Sequence, residues 1–192
     1  YGSLKSAMEG IRHGAAGYLL KPFNVTELLS LVNQTLEKKQ RLDFLRRFIG
    51  ISTGLWGSET ESAQAWKELI TGYQAIGKST LDQAPSSESI PNLLPLFSDL
   101  LEAKDRQLLN HCSRVSFYAT LLANRINLTL AEQKSLALGA FLHDIGKIGP
   151  EPYQFADDEI IGTGETVGNR HHPEQGAKLV LPLALPAEVG QM

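Results

Sequence analysis

The sequence predicts a mainly α-helical protein with a short α/β element near its start. Apolar residues recur at helical spacing along most of the chain, and capping residues precede several of these stretches. Only residues 18–20 have the pattern of a strand, a short apolar run. The composition, with 42% hydrophobic and 20% charged residues, is typical of a globular protein.

The first 40 residues predict a helix, a strand and a second helix. Residues 3–12 carry apolar side chains at helical spacing, and Gly14 is expected to end that helix. Residues 18–20 follow as a strand of the kind that is buried in a parallel sheet. Asn24 and Glu27 form a variant of the capping box and open the next helix. This order is that of the closing unit of a doubly wound α/β fold.

The second helix is predicted to continue into a connector between two modules. Two alternatives fit its apolar series: a parallel dimer seam, or packing onto a neighbouring domain. We expect an irregular segment at 50–58, a helix at 62–76 and a polar, proline-containing linker at 82–89. The apolar series consists of Leu42, Leu45, Phe48 and Ile49.

From residue 90 onward the sequence predicts helices alone. Pro91 suits a first turn, and Asp105 or a neighbour is expected to start the next helix. Thr129 and Glu132 form a capping box for a third helix. Gly146 is expected to stop that helix.

The densest chemistry of the chain lies near the end of this third helix. A neutral imidazole and a carboxylate can each hold a metal, and a carboxylate can bridge two. A lone histidine more commonly lines a core, but several histidines with an aspartate favour a metal site. Such ligands suit iron, manganese, nickel or zinc better than calcium or magnesium. The residues concerned are His111, His143, Asp144 and His172, with Lys147 as a partner for a phosphate oxygen.

Residues 102–176 resemble the first part of an HD-GYP domain, the output module of many bacterial response regulators. The resemblance rests on His-x-x-Arg-Val at 111–115, His-Asp-Ile-Gly-Lys-Ile-Gly at 143–149 and His-Pro-x-x-Gly at 172–176. It implies hydrolysis of cyclic di-GMP to pGpG or GMP by two divalent transition-metal ions, with iron or manganese favoured. The implied metal ligands are His111, His143, Asp144 and His172, with Asp144 bridging the ions. Asp144 and Lys147 would be catalytic, Lys147 by binding substrate phosphate or acting as an acid.

Three neighbouring residues are assigned minor roles at this site. Gln107 stands where trinuclear members of that family carry a glutamate, so we expect a binuclear site. Arg114 lies one turn from His111, and a surface ion pair is its simplest role. Cys112 points about 100° away from His111 on a helix and is interpreted as a packed thiol.

Residues 14–23 resemble the last strand and the following turn of a two-component receiver domain. The resemblance implies that Lys21 contacts the phosphoryl group, that Tyr18 is the switch aromatic, and that the peptide bond before Pro22 is cis. It also implies a sensor histidine kinase as partner and magnesium in the parent receiver. The predicted organisation is the end of a receiver at 1–40, a connector at 41–90 and the first part of an HD-GYP domain at 91–192.

The ends of the sequence suggest a piece of a longer protein. Tyr1 opens in mid-pattern, and Met192 precedes the His-His-Glu and Gly-Tyr-Pro segments that the HD-GYP resemblance implies. We therefore expect these 192 residues to be inactive by themselves. The single Cys112 excludes an internal disulfide and fits the cytoplasm. A net charge of −3 argues against a nucleic-acid surface, and no stretch is apolar enough to suggest a membrane span.

Two other functions remain open at this point. One is a non-catalytic signalling or scaffold module, which the glycine-rich residues 157–169 favour. The other is a hydrolase of the HD superfamily that acts on a different nucleotide. The presence of His-His-Glu and Gly-Tyr-Pro in a longer gene product would separate the first from the main hypothesis.

Overall fold

Helices make up most of the described part of the chain in the computed structural model, which describes residues 4–76, 90–149, 172–186 and 189. The predicted linker at 82–89 and the glycine-rich residues 157–169 lie outside the described residues. Short 3₁₀ helices occur at Gly54–Trp56, Ile145–Ile148 and Leu181–Leu183. The α-helices are α1 (Leu4–Arg12), α2 (Val25–Ile51), α3 (Glu59–Ile76), α4 (Ile90–Lys104), α5 (Arg106–Arg125), α6 (Leu130–Leu142) and α7 (His172–Val180).

The chain divides into two compact units, Tyr1–Arg41 and Leu42–Met192. The division falls inside α2, which is one continuous helix of 27 residues, as its apolar pattern predicted. None of the described helices has the length and apolar character needed to cross a membrane.

In the first unit, α1 ends before Gly14, as its sequence predicts. Gly14 adopts a φ of 91°, a conformation that glycine tolerates without strain. The Ala15 N–H donates to the Gly10 carbonyl and the Gly14 N–H to the Ile11 carbonyl, which is the Schellman arrangement. The capping box before α2 is also confirmed, because the Glu27 N–H donates to Asn24 Oδ1 at 2.8 Å.

The predicted strand at 18–20 is wrong, since these residues and the rest of the described chain form no β-strand. A strand needs the backbone of another strand as hydrogen-bond partner, and the apolar pattern alone does not supply one. Tyr18 and Leu20 are 40% and 62% exposed. Lys21 is exposed as well, and the Lys21–Pro22 peptide bond is cis, as expected for that bond.

The second unit is built around a core of buried side chains from its successive helices. The apolar series of the connector belongs to this core, with Leu45 fully buried and Leu42, Phe48 and Ile49 packed against it. The packing alternative therefore describes these residues in the single chain. A homodimer through the connector helix stays a prediction.

The connector differs from its prediction in two further details. Residues 50–58 are less irregular than expected, because α2 runs to Ile51 and a 3₁₀ turn follows. Helix α3 begins at Glu59, three residues earlier than predicted. The reason is a cap that the sequence analysis missed, in which the Ser58 N–H and hydroxyl both donate to Glu61 Oε2 at 2.7 Å.

The helices after residue 90 agree with the sequence. Helix α4 contains Pro95 at an exposed position and buries Leu96, Phe97, Leu100 and Leu101 completely. Asp105 caps α5 by accepting the Gln107 N–H at 2.8 Å. The capping box of Thr129 and Glu132 opens α6, which packs along α5. This pairing brings the first turns of α5 beside the end of α6.

Candidate metal centre

Asp144 is a buried carboxylate at the junction between α6 and the following 3₁₀ turn. Helix α6 ends at Leu142, His143 is its C-cap, and the turn begins at Ile145. The Asp144 side chain is 3% exposed. Removing a carboxylate from water is costly unless cations or hydrogen-bond donors surround it. The surroundings of Asp144 therefore decide what this site can hold.

Three imidazoles and one ammonium group surround this carboxylate. On the Oδ2 side, His111 Nε2 lies at 3.5 Å, His143 Nε2 at 3.3 Å and Lys147 Nζ at 2.9 Å. On the Oδ1 side, His172 Nε2 lies at 3.1 Å. These five residues include every metal ligand that the sequence predicted, together with the predicted phosphate-binding lysine. Among the described residues, His111, His143 and Asp144 form a group whose ligand atoms converge closely enough for one ion.

The three converging atoms fit a transition-metal ion in size. His111 Nε2 and His143 Nε2 are 3.2 Å apart and lie 3.5 and 3.3 Å from Asp144 Oδ2. A triangle with these sides has its centre about 1.9 Å from each corner, close to the roughly 2.0–2.2 Å of metal–nitrogen and metal–oxygen bonds. Two nitrogens and one carboxylate oxygen are also the donor types that such ions prefer. The residues present therefore fit a divalent transition metal.

The orientation of the His143 ring favours its use as a metal ligand. Its Nδ1 lies 2.8 Å from the Ala140 carbonyl oxygen, within the last turn of α6. A carbonyl only accepts hydrogen bonds, so Nδ1 carries a proton, which in the neutral ring leaves the Nε2 lone pair for a metal ion. Fixing one ring nitrogen in this way is the usual support of a histidine ligand.

Two glycines determine where His172 lies. A Cβ on Gly146 would come within 1.9 Å of the His172 carbonyl oxygen and 2.7 Å of the Gly176 nitrogen. A Cβ on Gly176 would lie 3.2 Å from the Gly146 nitrogen. The backbone of α7 thus contacts the 3₁₀ turn directly, which places the first residue of α7 beside Asp144. Gly146, in the motif at 143–149, and Gly176, in the motif at 172–176, allow this close backbone contact. Ending a helix is therefore not the only role of these glycines.

The remaining predicted residues lie outside this cluster. Gln107 and Arg114 are exposed on α5. Cys112 is fully buried, and burial, followed by the negative charge of Asp144, raises the pKa of its thiol to about 11. Cys112 is therefore a packed thiol, as interpreted from its position. Tyr18 and Lys21 belong to the other unit, and their phosphoryl-related roles stay predictions.

Hydrogen bonds from α3 and α4, which sequence reasoning missed, hold α7 and the 3₁₀ turn beside the centre. The buried Trp66 indole N–H donates to the Leu179 carbonyl at 2.7 Å, near the end of α7. Lys104 Nζ donates to the Gly149 carbonyl at 3.2 Å, just after the 3₁₀ turn. These pairs are 113 and 45 residues apart in sequence, so no local pattern could have indicated them.

A cavity of about 310 Å³ adjoins the centre between α6 and α7. His143 forms part of its wall, so the cavity reaches the metal cluster. Its volume is at the lower end of the range of about 300–1,000 Å³ for small-molecule sites. Its other lining residues include Leu142, Ile145, Pro173, Glu174 and Val180.

Residues 108–192 match the family model of the HD domain. The chain contains an HD domain. The match begins within α5 and includes His111, His143, Asp144 and His172, while α3 and α4 lie before it. The HD domain places this region in a superfamily of metal-dependent phosphohydrolases that bind divalent metals. Comparison with curated proteins and with solved structures gave no match.

Proposed function

We propose that this HD domain hydrolyses the phosphodiester bonds of cyclic di-GMP to pGpG or GMP, as the output module of a bacterial response regulator. The observation that supports it most is the arrangement around Asp144, in which three imidazole Nε2 atoms and one ammonium surround a buried carboxylate. The substrate and the regulator role come from the resemblance of the three motifs to HD-GYP domains.

The proposal assigns the ligands to two positions on either side of Asp144. His111, His143 and Oδ2 of Asp144 would hold one ion, and His172 with Oδ1 would contribute to a second. Iron or manganese suits this mixture of nitrogen and carboxylate donors. When bound, such ions supply Lewis-acid activation of water and of a phosphoryl oxygen.

The protein's own groups would then position and neutralise the substrate. Asp144 keeps the two ligand sets together, and the Ala140 carbonyl holds His143 in the tautomer that presents Nε2. Lys147 is one-third exposed, so its ammonium can reach a phosphate oxygen while it remains next to Asp144. There it would neutralise charge that develops on the phosphate, or donate a proton to the leaving alcohol.

The course of α2 supports the proposed regulator role. The helix starts directly after the segment with Lys21 and ends in the unit that contains the HD domain. Leu45, in its second half, is fully buried in that unit's core. A phosphoryl group received from a sensor histidine kinase, with magnesium in the parent receiver, would act on the output through this helix.

The match to the HD domain does not specify which nucleotide is the substrate. It therefore favours a hydrolase that acts on another nucleotide equally well. Substrate comparison separates the two functions. A gene product that contains this segment should hydrolyse cyclic di-GMP when loaded with manganese or iron, and should leave nucleoside triphosphates and monophosphates intact. Hydrolysis of those nucleotides, with cyclic di-GMP untouched, would favour the alternative.

Metal analysis tests the site itself, independently of substrate. Asp144→Ala should remove most of the bound metal and the activity, because it takes away the only carboxylate of the cluster among the described residues. Asp43→Ala is a matched control, since Asp43 is a partly exposed acid paired with Arg46 on α2. Metal content that Asp144→Ala leaves unchanged would refute the proposed site.

A further inference from the structure

Trp66, which lies before the residues matched to the HD domain, holds the helix that carries His172. Its side chain is buried in α3, and its indole N–H donates to the Leu179 carbonyl at 2.7 Å. Its ring packs edge-on against Phe97, with centroids 6.1 Å apart. The indole therefore has a fixed orientation, and its hydrogen bond ties α7 to α3.

The Leu179 carbonyl needs this donor for a local reason. Leu179 lies in the last turn of α7, where carbonyl groups have no intrahelical partner four residues on. Pro182, three residues further, has no N–H to donate. A buried carbonyl without a donor is unfavourable, so the tryptophan fixes the end of α7 at one place.

The middle of α7 is fixed by the contact between Gly146 and Gly176. Gly176 lies four residues after His172 and three before Leu179, so the two ends of α7 are about equally far from this contact. A displacement of Leu179 would therefore tilt the helix about its contact with the 3₁₀ turn and shift the imidazole of His172 at its other end. Nine residues form too short a helix to absorb such a tilt by bending.

We propose that Trp66 is a positioning residue for His172, and that it couples the connector helix α3 to the Oδ1 side of the metal centre. This inference rests on the proposed metal site. Movement of α3 would change the distance from His172 to Asp144, while His111 and His143 on α5 and at the end of α6 stay in place. The connector would then control the second ligand set and leave the first unchanged.

The test compares two phenylalanine variants in the 192-residue chain. Trp66→Phe removes the hydrogen bond to α7. Tyr73→Phe removes another buried hydrogen bond of α3, the one from the Tyr73 hydroxyl to Asp99 Oδ2 at 2.7 Å, which leads to α4 instead. Mn²⁺ titration followed by electron paramagnetic resonance should show about ten-fold or greater weakening of the weaker ion in Trp66→Phe, the usual effect of losing support behind a ligand.

A second readout needs no metal. In the metal-free protein with labelled histidine, Trp66→Phe should shift the ring signals of His172 and leave those of His143 nearly unchanged. Tyr73→Phe should shift neither. Wild-type Mn²⁺ affinity and wild-type His172 signals in Trp66→Phe would overturn the proposal, and so would equal effects of the two variants.

A third measurement uses the unaltered protein, in case Trp66→Phe does not fold. Coupling is reciprocal, so filling the His172 position with Zn²⁺ should slow hydrogen exchange of the Trp66 indole proton. Exchange that Zn²⁺ leaves unchanged would contradict the proposal. Failure of the wild-type chain to bind Mn²⁺ or Zn²⁺ would instead refute the proposed metal site, and the His172 signals of the metal-free variants would still decide the role of Trp66.

Discussion

Replacing Gly146 by alanine should displace α7 and with it His172. The added Cβ would lie 1.9 Å from the His172 carbonyl oxygen, and an ordinary contact begins at 3.4 Å, so this oxygen must retreat by about 1.5 Å. The atoms it meets are backbone atoms, which cannot rotate away. The cost should therefore lie at the upper end of overpacking, about 3 kcal/mol.

A destabilisation of about 3 kcal/mol is large enough to measure by thermal melting. For a protein of this size, about 3 kcal/mol corresponds to a fall of about 6 to 12 °C in the melting temperature. The same displacement would stretch the 3.1 Å contact between His172 Nε2 and Asp144 Oδ1 beyond hydrogen-bond distance. Thermal melting by circular dichroism, with Mn²⁺ titration of the same samples, measures both effects.

Two other glycines provide graded controls for this experiment. Gly176→Ala should cost less, because its nearest contacts would be 3.2 and 3.3 Å and require shifts of only a few tenths of an ångström. Gly50→Ala should leave stability unchanged or slightly higher, since its Cβ meets nothing within 4 Å and alanine favours a helix. A melting temperature for Gly146→Ala equal to that of Gly50→Ala would refute the reasoning.

Three other perturbations test separate parts of the structure. His172→Ala should weaken only the second of two Mn²⁺ binding steps, as His111 and His143 remain with Asp144; loss of both steps would contradict this. Glu132→Gln should lower the free energy of unfolding at pH 7, because hydrogen bonds first from the Thr129 side chain and then from its backbone lower the pKa of Glu132 below 4.5. That loss should shrink as the pH falls through the lowered pKa, since wild type then loses its carboxylate, and urea titrations at several pH values would reveal a constant difference if the reasoning is wrong. Cys112 should react with a disulfide reagent at pH 8 only as fast as the chain unfolds, given its burial and a pKa of about 11, and rapid labelling of the native protein would disprove this.

The sequence predicted correctly those features that depend only on neighbouring residues in the chain. The capping boxes at Asn24 and Thr129 and the helix end at Gly14 depend on residues within a few positions, and all three occur as predicted. The strand at 18–20 failed because a strand depends on a partner elsewhere. The dimer seam was undecided for a similar reason, since an apolar stripe around Leu45 packs equally well against another chain or against its own core.

The candidate centre combines a local and a non-local part, and the two have different consequences. His143 and Asp144 are adjacent, and His111 reaches them because α5 packs along α6. The Oδ2 side thus depends on one strong helix pair and supplies three ligand atoms. The Oδ1 side has one imidazole among the described residues, and its position depends on the backbone contact at Gly146 and on Trp66.

An ion at the Oδ1 side would therefore be held more weakly than one at the Oδ2 side, because fewer protein ligands reach it and its helix is fixed from outside the matched HD domain. Unequal positions of this kind make the second ion the natural point of control. In the proposed site, the first ion would need the helix pair with Asp144 at its end, whereas the second would also require α3 and α7 to be in place. Control over the second ion is control over any reaction that requires both, since two-metal chemistry depends on the attacking and leaving oxygens being stabilised together.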